Sequence, residues 1–156
     1  MRYKSKTLAT WLALLGGSLG LHRFYLHGGR DALAWLHPLP TLAGLIGVRR
    51  VLELGQDDQL SWLLLPLLGL MLAQAALCAI AYGLTADARW DARHNPGAPV
   101  HATAWGPVLG AIAALMIGAT ALMATIAFSG QRYFEWQVEE ARKIGPVTQR
   151  MVRPSQ

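Results

Sequence analysis

Charge is what this sequence has least of. Asp, Glu, Lys and Arg make up 15% of the 156 residues, where a soluble domain carries about a quarter. Long apolar runs account for the deficit, because a bilayer-spanning helix needs roughly 20 mostly apolar residues. Cysteine is almost absent as well. Cys78 stands alone inside an apolar run, which excludes a disulfide framework and leaves a small buried hydrophobe. The net charge of +5 does not gather into one patch. Basic residues flank the apolar runs, which is how topology signals are distributed and not how a nucleic-acid footprint looks. Membrane lipids are therefore expected contacts, nucleic acid is not, and no cofactor is implied.

What is present is an all-α pattern of four apolar segments. The first runs from Thr7 to Leu21 and reaches spanning length only if extended through Leu26. The opening residues imitate a secretory leader, but Gly16-Gly17-Ser18 is a poor cleavage site, so an uncleaved span is expected. The second, Ala32 to Val48, contains His37, Pro38 and Pro40. Two prolines remove two backbone donors, and irregular backbone at membrane depth is tolerated only against protein or a wet cavity. The first two segments therefore read as a short coupled hairpin. The third runs from Leu60 to Leu84 and the fourth from Ala104 to Phe128, followed by a juxtamembrane amphipathic helix that ends at Gly145-Pro146 and a tail over 151–156. The organisation expected is a hairpin domain (1–48), a second helix pair with a polar loop (49–130, loop 85–103), and a C-terminal helix and tail (131–156).

With four spans, ten Lys and Arg fall on one side, in the N-terminus, the second connector and the C-terminal segment, and four on the other. The excess of positive charge marks the cytoplasmic side. Both termini are then expected in the cytoplasm, in the plasma (inner) membrane, with the His22–Asp31 turn and the 85–103 loop outside.

The most patterned stretch is Gly16-Gly17-x-x-Gly20-x-His22-Arg23-Phe24-Tyr25-Leu26, preceded by Lys4-Ser5-Lys6 and followed by Gly28. It resembles the TM-two domain family, named for its two transmembrane helices, over about Arg2 to Val48. The chain departs from the family pattern at His27, where glycine is usual, and in its proline-rich second helix. The resemblance implies a small integral membrane protein, bacterial members having no assigned reaction.

Several constellations carry chemistry. His22-Arg23-Phe24-Tyr25 reads either as a recognition surface for an anion or an aromatic partner or as a turn cap with interfacial aromatics. His37 is an ionisable group inside an apolar segment, by default a functional hypothesis; a neutral imidazole bonded to a backbone carbonyl explains it equally. Gln74 is the other strongly polar side chain at depth, suited to bridging helices. Asp87, Asp91 and His94 share a helix face and include ligand types for a first-row metal, yet Arg89 and Arg93 alternate with them as on a solvated surface. His27 and Asp31 lack a neighbouring nucleophile. Gly106, Gly110, Ala114 and Gly118 repeat a small-xxx-small spacing that lets helices approach closely.

The leading expectation is a non-enzymatic interaction or scaffold module, contacting a partner protein, a second copy or lipids through the His22–Tyr25 turn. The alternative is a small transport or channel component with a polar path at His37 and Gln74.

Overall fold

A computed structural model describes residues 3–152, and helix is the only regular secondary structure among them. The first helix, α1 (Lys6–Gly16), is capped by Ser5, whose side chain accepts from the Leu8 N–H. It is 11 residues long, about 16 Å at 1.5 Å per residue. A 3-10 turn, Gly17–Leu19, follows. Gly20 then adopts φ 79°, a left-handed conformation that side chains resist, and the chain doubles back as α2 (Leu21–His27). The end of α2 lies beside the start of α1: the Ser5 N–H donates to the Tyr25 hydroxyl at 2.7 Å and Lys4 Nζ to the Tyr25 carbonyl at 2.5 Å.

Asp31 caps α3 (Ala32–Leu36). His37, itself helical in backbone, joins α3 to α4 (Pro38–Leu54). Pro38 and Pro40 thus fall in the first turn of α4, where missing donors cost least. Asp58 caps α5 (Gln59–Leu84); α6 (Asp87–His94) and α7 (Gly106–Val152) complete the order.

Helix α5 is the hub, with α1, α4 and α7 packed on it. Depth along it can be read from close approaches. Lys6 bonds the Thr85 carbonyl, Gly17 abuts Ala75, Gly44 abuts Leu68 and Gly47 abuts Leu65. On the other face Gly83 meets Pro107, Gly118 meets Ala76 and Gly69 meets Thr125. Among the described residues the buried apolar side chains are nearly all alanine, with Trp90 and Pro107 larger, while many leucines, isoleucines and methionines lie exposed. Small residues inside and large apolar residues outside is the packing of helices in lipid, where backbone approach replaces hydrophobic burial. Helices α5 and α7 are long and apolar enough to cross a membrane.

Three expectations are corrected. The first apolar segment does not run end to end through the bundle, because the Gly17–Gly20 reversal returns the chain to its starting end. The N-terminus and the 85–103 loop were expected on opposite sides, but Lys4 N–H donates to Asn95 Oδ1 at 2.7 Å and Trp90 Nε1–H to the Lys4 carbonyl at 2.8 Å. They share one end. The chain leaves α7 at the other end, where Arg132 bonds Gln56, so the described termini lie at opposite ends. Finally, α7 continues without interruption across 130/131 and through Gly145-Pro146 to Val152. One absent donor bends a helix more readily than it stops it. Residues 1–2 and 153–156, most of the expected tail, lie outside the described residues.

Pro38 leaves the Ala34 carbonyl without its helical donor, and Gly20 packs directly on that oxygen: a methyl group at Gly20 would stand 2.5 Å from it. Gly20→Ala is expected to lower stability by at least about 1–2 kcal/mol from backbone strain alone. Gly29→Ala, where a methyl meets nothing within 4 Å, is expected to be nearly silent. Thermal unfolding in detergent checks both.

Candidate functional site

Three polar groupings hold the chemistry-bearing residues. The first is the patterned turn. His22 is 1% exposed and faces inward, its ring 5.8 Å from those of His37 and Tyr82. Arg23 pairs with Asp31, Nε and Nη2 reaching Oδ2 at 2.9 and 2.8 Å. The Tyr25 hydroxyl is taken by Ser5, and Phe24 stacks edge-on against Trp35. Gly16 and Gly17 lie close under Leu21 and Ala75, and Gly28 closes α2 at φ 84° with open space around it. Arg23 and the Tyr25 hydroxyl are thus engaged within the protein.

The turn has a counterpart that the sequence reading missed. Arg23, Gly28, Asp31 and Trp35 recur 27 positions later as Arg50, Gly55, Asp58 and Trp62. The geometry repeats too. Gly28 and Gly55 have φ of 84° and 87°, and Asp31 and Asp58 each cap the next helix. Arg50 grips Asp58 with two bonds of 2.7 and 2.8 Å. Trp35 donates to the Gly29 carbonyl and Trp62 to the Gln56 carbonyl. Both aspartates titrate below the ordinary carboxylate range. For Asp58 the Arg50 hydrogen bond is the largest cause; for Asp31 burial pushes upward but is outweighed by the Leu33 N–H and Arg23. The signal was a matched spacing in the sequence, R-x4-G-x2-D-x3-W.

The second grouping joins His37 and Gln74, whose Nε2 atoms lie 3.4 Å apart. His37 Nδ1 sits 2.6 Å from the Leu33 carbonyl. That contact assigns the proton to Nδ1 and leaves Nε2 as acceptor for the Gln74 amide. Thr41 Oγ1 donates to the Ser18 carbonyl at 2.6 Å, tying the turn to α4. Two buried atoms here, His22 Nδ1 and Gln74 Oε1, have no hydrogen-bond partner among the described residues.

The third is the polar cap. Lys6 is 6% exposed and pairs with Asp87, which also accepts from the Thr103 N–H at 2.8 Å and its hydroxyl at 2.6 Å. These bonds, Lys6 foremost, hold the Asp87 carboxyl at about 2. Asp91 accepts from the His101 N–H and from Asn95 Nδ2 at 2.8 and 2.7 Å, which lower its pKa. Burial, then Asp91, raises that of Tyr3. His94 stacks on Trp90 with ring centroids 4.3 Å apart. Both carboxylates of the candidate set Asp87, Asp91 and His94 are thus engaged by donors within the protein, and no group of three or more His, Cys, Asp or Glu placed to hold a metal occurs among the described residues. The basic partner is Lys6 rather than the alternating arginines. Its signal was its register, on the same face of α1 as buried Ala9, Thr10 and Ala13.

The segment carrying the first turn can be placed among known proteins. Residues 2–49 match the family model described as the TM2 domain. The match covers α1 to most of α4 and so takes in the Gly20–Ala34 approach, the buried His22 and the Arg23–Asp31 pair. No curated protein and no solved structure matches the chain. The four small residues of α7 lie outside the TM2 segment but pack against it or its hub: Gly106 against Thr7, Gly110 against Thr10, Ala114 fully buried beside Ala13 and Ala79, and Gly118 against Ala76.

A carboxylate whose pKa is depressed in the folded state stabilises above its unfolded pKa and stops doing so as pH falls through the folded value. The unfolding temperature is therefore expected to fall between about pH 4 and pH 2. Asp87→Asn is expected to be less stable at pH 6 and to lose part of that slope, with Asp91, Asp31 and Asp58 contributing to the rest.

Proposed function

We propose that the chain is a non-enzymatic multi-pass membrane module. In this reading three segments cross, α3–α4, α5 and α7, while α1 and α2 form a re-entrant hairpin wedged beside α5. The observation that carries it is the inverted packing, alanine and glycine inside and leucine outside. The repeated turns supply support. Residues 32–54 between them span about 34 Å as helix, against a hydrocarbon core of about 30 Å. Each turn also brings a tryptophan and an arginine to a level where interfacial residues are favoured. The same topology puts seven Lys and Arg on each side, so the charge excess expected for four spans disappears. Contacts with lipids, a second copy or a partner would use the exposed apolar surface, including Trp35, Leu39, Leu42 and Ile46, because the His22–Tyr25 turn is occupied internally.

The two unpartnered atoms beside His37 favour a second reading, a small transport component. Buried polar atoms without partners mark sites for water or an ion. That reading expects a pH-dependent proton flux in proteoliposomes, abolished by His37→Ala; a flux no greater than in empty liposomes would exclude it.

Single cysteines in a Cys78→Ser background test the topology. Lys4→Cys and His101→Cys should react with an impermeant maleimide from one side of sealed vesicles, and Gln137→Cys from the other. Labelling of positions 4 and 137 from the same side would refute three crossings.

A further inference from the structure

Two hollows follow one another along the seam between α5 and α7. At the end where α7 leaves the bundle is a hollow of about 340 Å³ lined by Gln59, Trp62, Ser129, Arg132, Tyr133 and Trp136. A second, of about 260 Å³, continues between Leu65–Leu72 of α5 and Ala121–Phe128 of α7 and is walled by apolar and small residues. Seven helical rises from Leu65 to Leu72 make about 10 Å, which fits within one leaflet, half of a core of about 30 Å.

Arg132 lines the first hollow, on the side of Phe128, which lines the second. It is 7% exposed, lies 5.8 Å from the ring centres of both Trp62 and Phe128, and its Nε has no acceptor among the described residues. Its other nitrogens reach Gln56 Oε1 at 2.9 Å, the Gln56 carbonyl at 3.4 Å and Glu135 at 2.7 Å. Glu135 is 45% exposed, so an arriving phosphate competes with an exchangeable carboxylate.

We propose that this groove binds one zwitterionic glycerophospholipid, its phosphate on Arg132, its ammonium among Trp62, Tyr133 and Trp136, and an acyl chain in the apolar hollow. Guanidinium is suited to phosphate, and aromatic faces attract an ammonium. The surroundings select the zwitterion over an anionic lipid: residues 49–58 and 131–143 carry five basic and six acidic side chains, no excess of positive charge. The inference rests on the membrane reading above, whose own failure would appear separately in the cysteine labelling.

The test is native mass spectrometry of the full chain released from nanodiscs. These contain equal parts of phosphatidylethanolamine, phosphatidylglycerol and diacylglycerol with identical palmitoyl and oleoyl chains. One phosphatidylethanolamine adduct should persist. Its occupancy should fall at least about fivefold in Arg132→Gln, on the strength of a charge-assisted bond, and also fall in Trp136→Ala. Ala124→Leu fills the apolar hollow from an exposed position without touching Arg132 and should lower occupancy with an unchanged unfolding temperature. Preference for phosphatidylglycerol, or equal retention of diacylglycerol, would overturn the headgroup assignment. Loss of the adduct to millimolar inorganic phosphate would show a phosphate site rather than a lipid site. No adduct, or one indifferent to Arg132→Gln and Ala124→Leu, would overturn the groove.

Discussion

An arginine gripping an aspartate that also caps the next helix fixes where this chain turns. Exposed ion pairs contribute little on their own, but Asp31 and Asp58 are largely shielded, 11% and 14% exposed, and each does two jobs. Each carboxylate pairs with an arginine of the preceding helix and accepts from one amide in the first turn of the following helix, Leu33 or Ser61, a pairing of charge and cap that neither residue achieves alone. With a left-handed glycine ahead of each aspartate and a tryptophan folded over the loop, the turn is rigid. The segment held between Arg23–Asp31 and Arg50–Asp58 is then a strut of set length, and α5 is launched from its far end in a set direction.

Once the strut is placed, the remaining helices are located by how closely backbones can approach. Gly44 and Gly47 bring α4 onto α5; Gly17 brings the re-entrant turn onto Ala75; Gly83 and Gly118 bring α7 onto the other face. Such contacts leave little room for side chains, so large apolar residues are displaced outward and polar ones survive inside only where they are bonded. Lys6 meets that condition through Asp87 and the Thr85 carbonyl, and Asp91 and Asn95 through each other and the Lys4 carbonyl. His22, Gln74 and Arg132 meet it incompletely, each keeping one buried atom without a partner. Those exceptions coincide with the two places where a function is proposed.

The sequence made the membrane class and the family segment legible because both depend on composition and on a contiguous motif. His37 and Gln74 were each identified as polar groups at depth, and the fold brings them together; His22, attributed to a surface turn, completes their cluster. The path of the first apolar segment was not legible for a physical reason. Hydropathy measures what a segment can face, not where it reverses, and an 11-residue helix with a left-handed glycine behind it has the hydropathy of half a span. Extending the first segment through Leu26 supplied length by counting α2 as continuation, when it is the return limb. The polar cap was illegible for a related reason: Lys6 and Asp87 are 81 positions apart, and only the re-entrant path brings them to one end.

The charge count depends on the same path. In the three-crossing reading the N-terminus shares the end that holds the 85–103 loop, so three basic residues change side and ten against four becomes seven against seven. Several of those charges are also unavailable as topology signals, since Lys6, Arg23, Arg50 and Arg132 are held in ion pairs. A paired lysine or arginine presents a dipole to the membrane rather than a net charge, and the potential it would feel is largely cancelled by its partner. In a chain this poor in charge, the basic residues act first as internal fasteners, and the fold they fasten decides which end each one occupies.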